Sequence, residues 1–183
     1  MLIPVQSHRL CSAIGVIGAL WLSVASFPAR GADAGNAPPV RMAVFEFELE
    51  DVSPAGASSS GENAADSTRM KAVTGEARRV LAQSGRYSLV DVSHVDAQPV
   101  TQKSLRNCNG CEIGIALQLG AEQSLVGVVR RISMTDYYVL IQISDCRTGK
   151  VLNQQAANFA GGDDGWASGV RMLLRHAVLA SDP

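Results

Sequence analysis

The strongest constraint in this chain is the order in which two hydrophobic periods follow one another. Residues 42–49 (MAVFEFEL) alternate, with Ala43, Phe45, Phe47 and Leu49 on one face and Val44, Glu46 and Glu48 on the other, the period of a strand. Met70, Val73, Ala77, Val80 and Leu81 then recur at helical spacing. Asp66 or Ser67 is placed to cap that helix, and Gly85 to end it. A second strand is expected over 86–92 and a short helix over 112–119, with Ile113, Ala116 and Leu117 facing inward and Gly120 closing it. Strands follow over 123–132, 137–145 and 151–159, the last two joined by a turn at 147–150 in which Gly149 supplies positive φ. A last helix, capped by Asp163 or Asp164, carries Trp166, Val170, Leu173, Leu174, Ala177 and Val178 on one stripe.

This order, β-α-β-α-β-β-β-α, predicts a single α/β domain over 41–180 with a mixed five-stranded sheet. The two β-α-β units make the first three strands parallel, and the hairpin adds antiparallel strands at one edge. Right-handed crossovers with strand order 2-1-3 put the first two helices on opposite faces. Glu46, Glu48 and Glu50 then fall on a face that a helix partly covers. The reading that accommodates them covers Val44 alone and lets the acidic end protrude.

Residues 1–34 read as a cleaved export signal. His8 and Arg9 form a weak basic start, an apolar run extends over 10–27, and Ala29, Gly31, Ala32 and Ala34 offer small residues for cleavage. Residues 35–40 are a short linker. The apolar run is short for a membrane span and is interrupted by Gly15 and Gly18. Cys11 precedes the run, so the arrangement needed for lipid attachment is missing. No second segment approaches spanning length, and the mature chain is expected in the periplasm or secreted, with no transmembrane segment. About 150 residues remain, one ordinary domain that can bury a core. Of the 16 basic residues Arg9 and Arg30 precede Asp33, and all 17 acidic ones lie from Asp33 onward, a net charge of −3 for a chain starting there. That balance, with Arg78–Arg79 and Arg130–Arg131 as isolated pairs on solvated faces, argues against nucleic acid as a partner.

Several stretches resemble a known family. Gly85, Arg86, Tyr87, Leu89, Val90 and Asp91 form one block; Leu119, Gly120 and Ala121 end a helix; Gly127 sits inside a strand; and Asp145, Thr148, Gly149 and Val151 close a hairpin. Over residues 41–179 this pattern resembles the periplasmic α/β domain of the TolB amino-terminal and curli-secretion lipoprotein type. It is closer still to secreted bacterial proteins of unknown function that share a C-x-x-C before the second helix. The resemblance implies an envelope assembly or interaction module rather than an enzyme. The transmembrane hairpins of the secretion lipoprotein are missing here, so pore formation is not implied.

An oxidising compartment changes how the cysteines are read. Cys108, Cys111 and Cys146 remain after cleavage, an odd number with three possible pairings. Cys108-Asn109-Gly110-Cys111 suits a structural disulfide pinning a loop to a helix start. It also suits a thiol–disulfide redox pair, with Cys108 as nucleophile at a helix N-terminus and Cys111 as the resolving thiol. Covalent haem requires a histidine where Glu112 stands. A metal site would need Cys146 and His94 as further ligands, at a spacing that matches no zinc pattern. His176 falls off the apolar stripe of the last helix and is expected to face solvent. No nucleophile elbow, metalloprotease, phosphate-loop or dinucleotide motif occurs, and no cofactor or metal is expected.

Glu46, Glu48, Glu50 and Asp51 form the densest charge cluster. Alternate strand residues lie about 6.8 Å apart, near enough to contact a cation or a basic partner but too strung out to enclose one. The sequence therefore points to a non-catalytic exported module that binds a protein or cell-envelope component through its sheet edge, its 51–65 loop or these acids. The alternative is a redox protein using Cys108 and Cys111.

Overall fold

The computed structural model describes residues 38–56, 64–93, 104–105, 108 and 110–180. The leader, residues 35–37 of the linker, residues 57–63 of the polar loop and His94 lie outside the described residues. The chain forms β1 (Val40–Val44), β2 (Glu48–Asp51), α1 (Ala64–Gln83), β3 (Tyr87–Val90), α2 (Cys111–Gln118), β4 (Gln123–Arg131), β5 (Asp136–Asp145), β6 (Val151–Ala160) and α3 (Trp166–Leu173). All six strands share one sheet, ordered β3-β1-β4-β5-β6, with β2 pairing β4 beyond the end of β1. β1 is parallel to β3 and β4, β2 is parallel to β4, and β4, β5 and β6 are antiparallel. The mixed α/β domain and the 2-1-3 order expected from the two crossovers are both present. The sheet has six strands rather than five because the first expected strand is divided.

That division has a counting cause. β1 leaves the register with Val44 opposite Leu125, and β2 rejoins it with Glu48 opposite Val128, so the first strand carries one residue more than its partner. One extra residue reverses which face each later side chain meets. Met42, Val44, Phe47 and Leu49 share one face, while Ala43 and Phe45 lie on the other. The single face expected for Ala43, Phe45, Phe47 and Leu49 is thus split. Phe47 lies across Gly127, where a Cβ would stand 2.1 Å from its ring. Backbone groups released at the break find partners on α1. Phe47 N–H donates to Thr74 Oγ1 (2.9 Å), and the Val44 carbonyl accepts from Arg78 (2.8 Å).

The two faces are covered unequally. On one, α1 contributes Met70, Val73, Ala77, Val80 and Leu81, and α3 contributes Trp166, Val170 and Leu173, packing on Leu125, Val129, Tyr137, Val139, Ile141 and Ile143. The last helix continues as a π turn over Leu174–Val178 that buries both its ends. His176 is exposed, as its place off the stripe predicts. On the opposite face, among the described residues, α2 is the one helix, with Ala116 packed with Ala43, Phe45 and Val126. Leu117 is 53% exposed and Glu112 is buried, so the inward stripe of α2 runs through Glu112 and Ala116 rather than Leu117. Beyond the reach of α2, Leu140, Gln142 and Val151 on this face line a groove among the described residues.

Helix starts also differ from expectation. α1 begins at Ala64 and places Asp66 inside its first turn. Asp163–Gly165 forms a 3-10 turn ahead of α3, whose N-cap is Gly165 with no side-chain cap. The aspartates expected as caps serve another purpose, described below. The β5–β6 hairpin is built as expected: Gly149 has φ 71°, and Asp145 Oδ1 accepts the N–H groups of Arg147 (3.0 Å) and Thr148 (2.7 Å). Those Thr148 bonds hold the Asp145 carboxyl below its ordinary range.

Candidate functional site

At the carboxyl ends of the parallel strands β2 and β4, two helix N-termini converge on one guanidinium. Arg131, the last residue of β4, pairs with Asp51 (2.5 Å), Asp66 (2.5 Å) and Asp163 (3.0 Å), and lies over the Trp166 ring at 4.9 Å. Asp66 and Asp163 sit at the positive starts of α1 and of the turn into α3. Desolvation works against the Arg131 charge, but its bonds to Asp66, Asp51 and Asp163 prevail and raise its pKa. Burial likewise pushes the Asp51 carboxyl up, and bonds from Ser53 and Arg131 outweigh it, so Asp51 titrates below its ordinary value. Ser53, Arg69, Met134 and Asp164 help line a cavity of about 820 Å³ beside this knot. Because Arg131 is matched by three carboxylates, the arrangement braces β2, β4, α1 and α3 against each other. Sequence alternation placed Arg131 on a solvated face; its position at a strand end where three elements meet was the missing signal.

The four acids expected as a binding cluster are not brought into one pocket. Glu46 is the exposed extra residue at the break, beside Lys71, Thr74 and Arg78. Glu48 accepts from Ser104 Oγ (2.5 Å) and from the Leu105 N–H, tying down the segment that leads to the cysteines. Glu50 pairs with Arg130 (2.7 Å) and Asp51 with Arg131.

Cys108 and Cys111 form a disulfide, and Cys146 is a buried free thiol, which resolves the three pairings open in the sequence. Burial pushes the Cys146 thiol up, which the neighbouring Ser124 hydroxyl only partly offsets. α2 begins at Cys111, behind Gly110 in a left-handed conformation (φ 97°) with no side-chain cap. The residue at the helix start is therefore Cys111, not Cys108 as the sequence suggested. Glu112 follows it, 4% exposed, with Oε2 3.6 Å from Cys108 Sγ. Among the described residues these three bring their ligand atoms within 4.8 Å of one another, close enough to hold a metal ion, but the disulfide occupies both sulfurs. Alongside runs a groove of about 630 Å³ between α2 and the sheet, lined by Glu112, Ile113, Val126, Val128, Leu140 and Val151 among others. Glu112 was visible in the sequence only as the residue that excludes haem.

Among solved structures, the chain is similar to the LpoB C-terminal domain from Salmonella enterica (20% identity, TM-score 0.48, covering 69% of this chain and 86% of that one). It is also similar to the lipoprotein GNA1162 from Neisseria meningitidis (14%, TM-score 0.49, 79% and 100%) and to TolB from Acinetobacter baumannii (12%, TM-score 0.44, 78% and 29%). The class the fold defines is a mixed α/β domain with an open sheet. Residues 40–178 match the family model DUF3280, described as "Protein of unknown function (DUF2380)", and the chain belongs to that family. No curated protein matches the sequence. Among the described residues, no helix is long and apolar enough to cross a membrane.

Proposed function

We propose that the chain is an exported, non-catalytic envelope protein that acts as a binding or assembly module, taking an extended segment of a protein partner onto the edge of β6. The leader supports export to the periplasm or beyond. The observation that carries the binding role is the edge itself. β6 is ten residues long, lies at the end of the sheet order, and contains no charged residue and no proline in VLNQQAANFA. Edge strands that must avoid pairing commonly carry charge, proline or cover. The polarity of its backbone follows from one bond. Gly161 N–H donates to the Thr135 carbonyl (2.7 Å), so on this antiparallel ladder Asn153, Gln155, Ala157 and Phe159 bond β5. Gln154, Ala156 and Asn158 direct their N–H and C=O groups outward. Such outward groups are what a strand-adding partner needs. Of the four acids, Glu46 is the exposed one and the best placed to contact a basic partner.

Photo-crosslinking in intact cells tests this. With the probe at Gln154 or Asn158, the same adduct is expected from both positions. It is expected to vanish with Ala156→Pro, which removes an outward N–H while keeping the β5 ladder. An adduct that persists in a folded Ala156→Pro chain would refute the edge-strand role.

A further inference from the structure

We propose that Cys108–Cys111 is a thiol–disulfide exchange site for a cysteine-containing extended segment of a protein. Cys111 is the sulfur that forms the mixed disulfide, and Glu112 is the proton carrier for Cys108. This goes beyond the binding role and does not rest on the β6 edge.

Three observations converge. First, Cys111 opens α2, and its cap residue Gly110 offers no side-chain oxygen to the first-turn N–H groups. Those groups and the helix dipole favour a thiolate at position 111. Second, Glu112 is a carboxyl 96% removed from solvent, and Cys108 Sγ, at 3.6 Å, is the polar neighbour the structure gives it. A disulfide sulfur has no proton to donate, so the carboxyl is left without a hydrogen-bond donor among the described residues. Burying a carboxyl this way is costly and calls for a functional reason. Reduction supplies one, because the Cys108 thiol that results can donate to Glu112. Third, the groove of about 630 Å³ runs past Gly110 and Glu112, with Val126, Val128 and Leu140 as its apolar floor. Both cysteines are only half-buried, so an extended segment lying there can bring a thiol to the sulfurs.

The chemistry balances with a protein dithiol as the reductant. A partner thiolate attacks Cys111 Sγ, and the Cys108–Cys111 bond breaks. Cys108 departs with the electron pair and takes a proton from Glu112. The partner's second thiolate then attacks its own sulfur in the mixed disulfide, and Cys111 leaves as the thiolate favoured by the helix start. The partner dithiol is oxidised to a disulfide, the protein disulfide is reduced to the Cys108 thiol and the Cys111 thiolate with Glu112 left as the carboxylate, and two electrons have moved. A poor leaving thiol is the slow point of such an exchange, and Glu112 stands beside the sulfur that needs help.

The experiment uses the full chain with Cys11→Ser, so that the domain cysteines alone remain. The reduced Cys108→Ser form, retaining Cys111, is expected to capture a short uncharged peptide disulfide roughly tenfold faster than the Cys111→Ser form. Equal rates, or the reverse order, would overturn the assignment. Without any change at the pair, the oxidised chain is mixed with the same peptide as a dithiol, and alkylation followed by mass spectrometry reads its reduction. Glu112→Gln is expected to slow that step by about tenfold while the disulfide still forms; an unchanged rate would overturn the role of Glu112. Exchange with the peptide no faster than with glutathione would make the pair a structural staple and end the proposal. Ala156→Pro is expected to leave all these rates unchanged.

Discussion

The two faces of the sheet solve the same problem by different means. One is closed by α1 and α3, and its core extends without interruption from Met42 to Val178, with Trp166 fully covered. The other has the eight residues of α2, a smaller apolar cluster and a disulfide at the helix start. Where a long helix can be laid down, apolar burial suffices. A helix of two turns is marginal alone, and α2 is held by covalent linkage and by Glu48 gripping Ser104 and Leu105. The shorter helix also leaves room beside it for a groove of about 630 Å³. Chemistry that needs access has space on the second face.

The sharpest way to break this contrast is to attack the thick face at its polar end. Arg131→Met leaves Asp66, 5% exposed, without its strongest partner. Loss of about 3–5 kcal/mol is expected, read as a lower urea midpoint. A smaller loss would mean that the apolar core, not the charge knot, joins α1 to α3. On the thin face, Cys108→Ala with Cys111→Ala removes a bridge that closes a very short loop, so about 2 kcal/mol is expected. Hydrogen exchange is expected to rise in α2 while α1 and α3 keep their protection. If all three helices loosen together, the two faces are not independent. The smallest effect concerns Asp51. Its carboxyl is depressed in the folded state, so its contribution is complete above the ordinary aspartate value of about 4 and fades as pH falls through the lower folded value. The stability difference between the wild type and Asp51→Asn is therefore expected to shrink on acidification below about pH 4. A constant difference would remove Asp51 from the acid response.

Much of this architecture can be read from the residues. Periods of two and 3.6, with Gly85, Gly120 and Gly149 as punctuation, specify the β-α-β-α-β-β-β-α order, and crossover handedness specifies the strand order. The division of the first strand is invisible because MAVFEFEL satisfies alternation either way. Val44 and Phe45 are both apolar, and the deciding facts, Gly127 and the residue count on β4, lie on a strand distant in sequence. The role of Arg131 was hidden for a related reason. Alternation describes the middle of a strand, and Arg131 acts at an end, where Asp51, Asp66 and Asp163 arrive from three other segments. The disulfide was one of three allowed pairings in sequence. Placing Cys111 at the start of α2 and burying Cys146 in the smaller core selects it. Glu112 escaped notice because a charged residue on the inward side of a short helix contradicts the pattern that locates the helix.

The surplus residue between β1 and β2 makes reading frame within the strand as consequential as residue identity. Removal of the single codon for Glu46 would take out the surplus itself: Val44 would stay opposite Leu125 and Glu48 opposite Val128, so Phe47 and Leu49 would keep the helical core and Glu48 and Glu50 the other face. The Phe47 ring would stay on the face of Gly127 and Glu48 on that of Ser104, whereas loss of a residue from the paired run of β2 would turn the side chains beyond it to the opposite face. The exposed residue at the break would thus be tolerant of deletion as well as of substitution, while its paired neighbours in β2 would tolerate substitution on the outer face but not deletion.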